Sequence, residues 1–168
     1  MIKLRDILNE IGDTTTTYNY RTDFELQRIG KPHDGFYKSL YTFRANDYTT
    51  NSEGMKFYVT IEAYEMYDEE GNTIPNPTVD IAFTAGPTGF GATNKGLKQA
   101  FRVMATVIKI AKDFADKYDW VEEYKFSVSD TIKNDTTGKK NLYLAFIKQQ
   151  FPGAKIKEHS EEIYVKIR

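Results

Sequence analysis

The residues best placed to do chemistry surround a glycine-rich stretch, Thr84 to Leu97, in which Gly86, Gly89, Gly91 and Gly96 loosen the backbone just before a strongly helical pattern. A loop of this kind opening a helix offers unpaired N–H groups and the positive end of the helix dipole to an anion. The same glycines equally suit a loop that only needs turns with positive φ. Lys133, Lys139, Lys140 and Lys148, near Asn134, are cations that phosphates could meet. The cluster Asp68-Glu69-Glu70 with Asn72 has oxygen ligands for a hard cation. It lacks alternating ligand spacing, so it reads as a solvated hairpin turn. Glu62 and Glu65 fall on opposite faces of any strand that holds both, so they make no catalytic pair from that strand alone.

Much chemistry is excluded outright. The 168 residues include no cysteine, which removes thiolate metal sites and cysteine nucleophiles. His33 and His159 are the only histidines and sit far apart, so no metal is expected. No Gly-x-Ser-x-Gly is present. The net charge is −1, unlike a bulk polyanion binder, and nucleic acid is an unlikely partner. That near-neutrality is a cancellation. Residues 1–84 carry 8 Lys/Arg against 14 Asp/Glu, and residues 85–168 carry 15 against 10. The change of sign falls at the glycine-rich stretch, so if an anion binds, the basic second half is where it is expected. No apolar run approaches a membrane span, and the N-terminus lacks the continuous apolar core of a secretory signal, so a cytoplasmic location and no membrane partner are expected.

The elements that must position these groups follow from periodicity. Residues 1–12 place Ile2, Leu4, Ile7, Leu8 and Ile11 at helical spacing, ending near Gly12. Alternating aromatics predict strands over 18–28 and 36–45, with a turn at Pro32 to Gly35 between them. A long strand over 55–67 carries Phe57, Val59, Ile61 and Ala63 on one face, and another over 78–84 carries Val79, Ile81 and Phe83. Pro75 and Pro77 delay that last strand. The period then changes. A helix from residue 94 or 95 to about 118 has its apolar stripe through Leu97, Phe101, Met104, Ile108, Ala111 and Ala115. A strand at 124–128, a helix at 139–150 and two short strands at 154–158 and 162–168 complete the chain. The expected fold is a single α+β domain: a helix over 1–12, an antiparallel meander over 18–84 and an αβαββ half over 85–168. The sheet is mixed, with the 78–84 and 124–128 strands side by side and parallel.

This element order resembles the GNAT-type acetyltransferase fold over roughly residues 36–168. In that family a glycine-containing loop of the type Gln/Arg-x-x-Gly-x-Gly/Ala opens the long helix and holds the pyrophosphate of coenzyme A. Gly89 and Gly91 keep the glycine spacing, with Gly86 standing where Gln or Arg would be; alignment on Gly96 puts Thr93 there instead. The resemblance implies acetyl-CoA as cofactor, held by Gly89, Gly91, Thr93, Asn94, Lys95 and Gly96. It places Asn134 after the strand Phe126-Ser127-Val128-Ser129, and Tyr143 in the pair Leu142-Tyr143 on the following helix. Family members use a tyrosine on that helix to protonate the leaving thiolate, a role Tyr143 would take. Glu62, on one face with Tyr58, Thr60 and Tyr64, would serve as general base for an amine. A polar outer face accounts for Glu62 equally well. The start MIKLRDIL, the segment Ala100 to Val107 and the strand Tyr124 to Ser129 also resemble small bacteriophage proteins. Two functions stay open: a divergent acetyl-CoA-dependent N-acyltransferase, or a non-enzymatic phage protein that binds a host or virion protein in the host cytoplasm.

Overall fold

The computed structural model describes residues 17–45, 55–86, 97–127, 136–159 and 162–168. The expected helix over 1–12 lies outside them. Among the described residues, eight strands and two helices follow in the order β1 (Tyr20–Lys31), β2 (Asp34–Ala45), β3 (Met55–Tyr67), β4 (Thr73–Pro75), β5 (Thr78–Gly86), α1 (Leu97–Lys117), β6 (Glu123–Ser127), α2 (Thr136–Gln150), β7 (Lys155–His159) and β8 (Glu162–Lys166). The sheet runs β1-β2-β3-β5-β6-β8-β7, with the short β4 hydrogen-bonded to the far end of β3. β1, β2, β3 and β5 form the antiparallel meander expected, and β5 pairs with β6 in parallel across the α1 crossover.

Strict alternation builds the central strands. Phe57, Val59, Ile61 and Ala63 of β3 are buried, whereas Tyr58, Thr60 and Glu62 between them are only half-buried. Period two sends one set under the helices and the other to the opposite, open face. The register carries the pattern across the sheet, so Val79 of β5, Tyr124 of β6 and Val165 of β8 share one apolar row. Each fully buried aliphatic or aromatic side chain contributes about 1.5–3 kcal/mol relative to exposure.

Helix α1 covers this face with two adjacent ridges. Val103, Val107, Ile110 and Phe114 form one, and Met104, Ile108, Ala111 and Ala115 the other; all eight are buried. Spacings of three and four make that stripe. From α2, Tyr143, Phe146 and Ile147 enter the same core. Polar contacts fix the helix on the strands. The Tyr124 hydroxyl donates to the Ala111 carbonyl at 2.5 Å, and the Tyr18 backbone N–H donates to Thr106 Oγ1 at 2.9 Å. At the C-terminal end of α1, Arg168 donates to the carbonyls of Ala115 and Val121. A cation there satisfies orphan carbonyls and complements the dipole.

β1 departs from the regular pattern. Its pairing with β2 shifts register between Thr22 and Phe24 and again between Phe24 and Gln27, each shift adding one residue on β1. β4 departs from the sequence reading too. The prolines at 75 and 77 delay β5 as expected, but Pro75 ends a three-residue strand against Glu65–Tyr67. It does so on a strand where its missing N–H costs little.

Candidate functional site

At the centre of the sheet β5 and β6 run in parallel, in register from Thr78 opposite Glu123 to Ile81 opposite Phe126. On its other side β5 is paired along β3 as far as Gly86 opposite Lys56.

Tyr143 packs against both strands of this parallel pair. Its ring centroid lies 6.2 Å from that of Phe83 on β5 and 6.3 Å from that of Phe126 on β6. The residue is 8% exposed. Burial alone pushes its phenol well above the usual tyrosine value, so the group stays protonated throughout the physiological range. The arrangement supplies a neutral O–H group among aromatic rings of β5 and β6.

The other expected site residues divide into two groups. Gly89, Gly91, Thr93, Asn94, Lys95, Gly96 and Asn134 lie outside the described residues. Glu62 is described and lies on the open face, as its alternation predicts. Its Oε1 is 2.8 Å from Lys38 Nζ, and Asp80 is its cross-strand neighbour on β5. Tyr143 belongs to the face under the helices, so the sheet stands between it and Glu62. The structure does not bring these two together. Among the lysines near Asn134, Lys148 is exposed on α2.

The acidic turn is what its composition suggested. Asp68 Oδ1 accepts from the backbone N–H of Glu70 at 3.0 Å and of Asn72 at 2.8 Å, closing an Asx-type turn. These hydrogen bonds hold the Asp68 carboxyl below its usual range. Among the described residues, no group of three or more His, Asp or Glu is placed to hold a metal ion.

One polar cluster escaped the sequence reading. At the β1–β2 turn His33 has φ 67° and its Nδ1 lies 2.9 Å from the Tyr67 hydroxyl, which donates to Glu65 Oε1 at 2.5 Å. The other Glu65 oxygen accepts from Arg28 Nε at 2.7 Å, and Arg28 also donates to the Lys31 carbonyl. Hydrogen bonds from Tyr67 first, then from Arg28, lower the Glu65 carboxyl. The four residues tie the β1–β2 turn to the far end of β3. Gly35 makes the tie possible, because a Cβ there would collide with the Arg28–Glu65 pair. The signal was present only in register, which a linear reading does not supply.

No family model, no curated protein and no solved structure matches this chain.

Proposed function

We propose that this chain is a GNAT-like domain that takes an acyl-CoA thioester beside the parallel β5–β6 pair. The observation that carries this reading is Tyr143, a buried and protonated phenol packed against Phe83 of β5 and Phe126 of β6. The sheet order supports the reading as well: an antiparallel meander, one central parallel pair, then β8 between β6 and β7. Phe83, Phe126 and Tyr143 would flank the thiol end of the ligand, and the segment at 87–96 would meet its phosphates. When bound, the thioester would supply the acyl group. Tyr143 would hold a proton at Oη for the departing sulfur, the role of a general acid within hydrogen-bond reach.

The test is thermal unfolding with acetyl-CoA and with CoA. Ligand at a hundred times its dissociation constant stabilises by about 2.7 kcal/mol, a readily measured rise in melting temperature. No shift with either compound would overturn the assignment. If both bind, Tyr143→Phe should leave affinity within about twofold while lowering turnover of a model amine at least tenfold, a loss of about 1.4 kcal/mol in transition-state stabilisation.

A second reading has its own observation. Tyr64, Met66 and Ile74 are large apolar side chains exposed where β3 meets β4, Met66 directly opposite Ile74. A protein partner, as for a phage-encoded factor acting in a host cytoplasm, would bury such a patch. Absence of any coenzyme A response would leave this reading standing.

A further inference from the structure

The open face of the sheet gathers its exposed apolar groups at one end. Phe36 of β2 and Tyr64 of β3 are cross-strand partners, and Met66, two residues on, stands opposite Ile74 of β4. Side chains two apart on a strand share a face, so these four form one stripe. Tyr64 is 66% exposed, and Met66 and Ile74 are 37% exposed each. Tyr67 does not belong to the stripe. It falls on the other face, hydrogen-bonded to Glu65 and His33.

The charge around the stripe has one sign. Residues 57–94 hold six carboxylates and no Lys or Arg. Three of the six are matched by cations from neighbouring strands: Glu62 by Lys38, Glu65 by Arg28 and Asp80 by Lys125. The other three, Asp68, Glu69 and Glu70, form the tip of the β3–β4 hairpin just beyond Met66. None of them meets a cation within ion-pair distance among the described residues. Backbone N–H groups of the turn keep Asp68 ionised. Asp34, exposed at the start of β2, is unmatched as well; Lys31, its cross-strand partner, makes no ion pair with it. Asp34, Glu62 and Asp80 line a cleft of about 170 Å³ together with Phe36 and Tyr64. Small-molecule pockets run to about 300–1,000 Å³, so this cleft has room for a single side chain.

We propose that this surface docks a segment of a partner protein that presents a basic side chain beside apolar ones. The proposal rests on the reading of the Tyr64–Met66–Ile74 patch as a protein-binding surface, and it names what the partner must carry. A Lys or Arg side chain has an apolar stem that suits the rings of Phe36 and Tyr64, and a cationic head that suits the cleft. Glu62 and Asp80 keep their own lysines, so Asp34 is the carboxylate left to meet that head. The aromatic faces attract it too. Apolar neighbours on the partner cover Met66 and Ile74 and exclude water from the ion pair. The unmatched tip from Asp68 to Glu70 draws a basic segment in and repels an acidic one.

The experiment is fluorescence anisotropy of the full chain with three short labelled peptides, one of Leu and Arg, one of Leu and Glu, and one of Ser and Arg. The Leu/Arg peptide should bind saturably and at least about tenfold more tightly than either of the others. Met66→Ser and Asp34→Asn, both at exposed positions, should each weaken that binding about tenfold. An unchanged melting temperature shows that the variants are folded. Glu69→Gln should slow association about twofold, an effect that added salt reproduces. Equal binding of the Leu/Arg and Leu/Glu peptides at this patch would overturn the basic partner while the docking surface remains. Equal binding of the Leu/Arg and Ser/Arg peptides, no saturable binding of any peptide at millimolar concentration, or binding that neither variant weakens would overturn the docking surface with it. Sedimentation covers the other occupant: a dimer that Met66→Ser dissociates would assign the surface to a second copy of this chain and overturn a separate partner.

Discussion

Two rows of residues cross the same five strands one position apart, and they are held by different forces. The row under the helices is Ser39, Ile61, Ile81, Phe126 and Ile163. All are at most 3% exposed. The row on the open face is Lys38, Glu62, Asp80, Lys125 and Tyr164. There two carboxylates stand side by side at the centre with a lysine outside each: Lys38 is 2.8 Å from Glu62, and Lys125 is 2.8 Å from Asp80 and 3.7 Å from Glu162. The first row is cohesive because water is absent. The second coheres because its charges alternate around a repulsive pair, in a medium that screens them. Contacts of one register therefore differ in strength by the face they occupy.

The strongest way to break this comparison is Phe126→Ala. It removes a fully buried ring that Tyr143 and Tyr124 both contact. The expected loss is about 3–5 kcal/mol by urea unfolding, insensitive to salt. Lys125→Ala comes next. It leaves Asp80 beside Glu62 without its own cation, and about 1 kcal/mol is expected, diminishing in high salt. A salt-independent loss for Lys125→Ala would mean the lysine stem, not its charge, is what matters. The smallest effect belongs to Lys38→Ala, between about 0 and 1 kcal/mol, because that pair is half open to solvent.

Alkali separates the faces in another way. Under the helices, burial pushes the Tyr41 phenol up to about 12 and Tyr143 higher still. Both are neutral in folded and unfolded chains below the ordinary tyrosine value of 10.0, so their contribution is constant there. Between about 10 and 12 the unfolded chain loses these protons while the fold keeps them, and stability falls. Lys125 adds to the same loss from the open face, since its hydrogen bond to Asp80 raises it above 10.5. Denaturation followed across this window should show a steep decline that salt does not remove. A flat profile would mean these phenols are solvated in the native state.

The two rows also explain what a linear reading could find. Alternation over 55–67 predicted β3 residue by residue, because each residue's own polarity reports its face. The long apolar stripe predicted α1 and, with it, the parallel pairing of β5 and β6. β4 was missed since Pro75 and Pro77 argue against a strand, and only the proximity of Glu65–Tyr67 makes one. The candidate site was half legible. Tyr143 could be placed on its helix, but its packing against Phe83 and Phe126 depends on the parallel pairing of two strands far apart in sequence. Glu62 was assigned its face correctly, and that same assignment separates it from Tyr143.

The two register shifts in β1 also bear on how copies of this protein meet. Among the described residues β1 and β7 are the outer strands, each with one side of its backbone unpaired. A regular, uncharged border of that kind would template a neighbouring chain and let sheets grow into fibres. The extra residues at 22–27 interrupt the spacing of N–H and C=O groups along β1, and Arg21, Asp23 and Glu25 are exposed beside them. On the opposite border, Lys155, Lys157 and Glu158 are exposed along five residues. An incoming strand finds broken spacing at one border and a short charged segment at the other, so neither described border offers a regular template for a second chain.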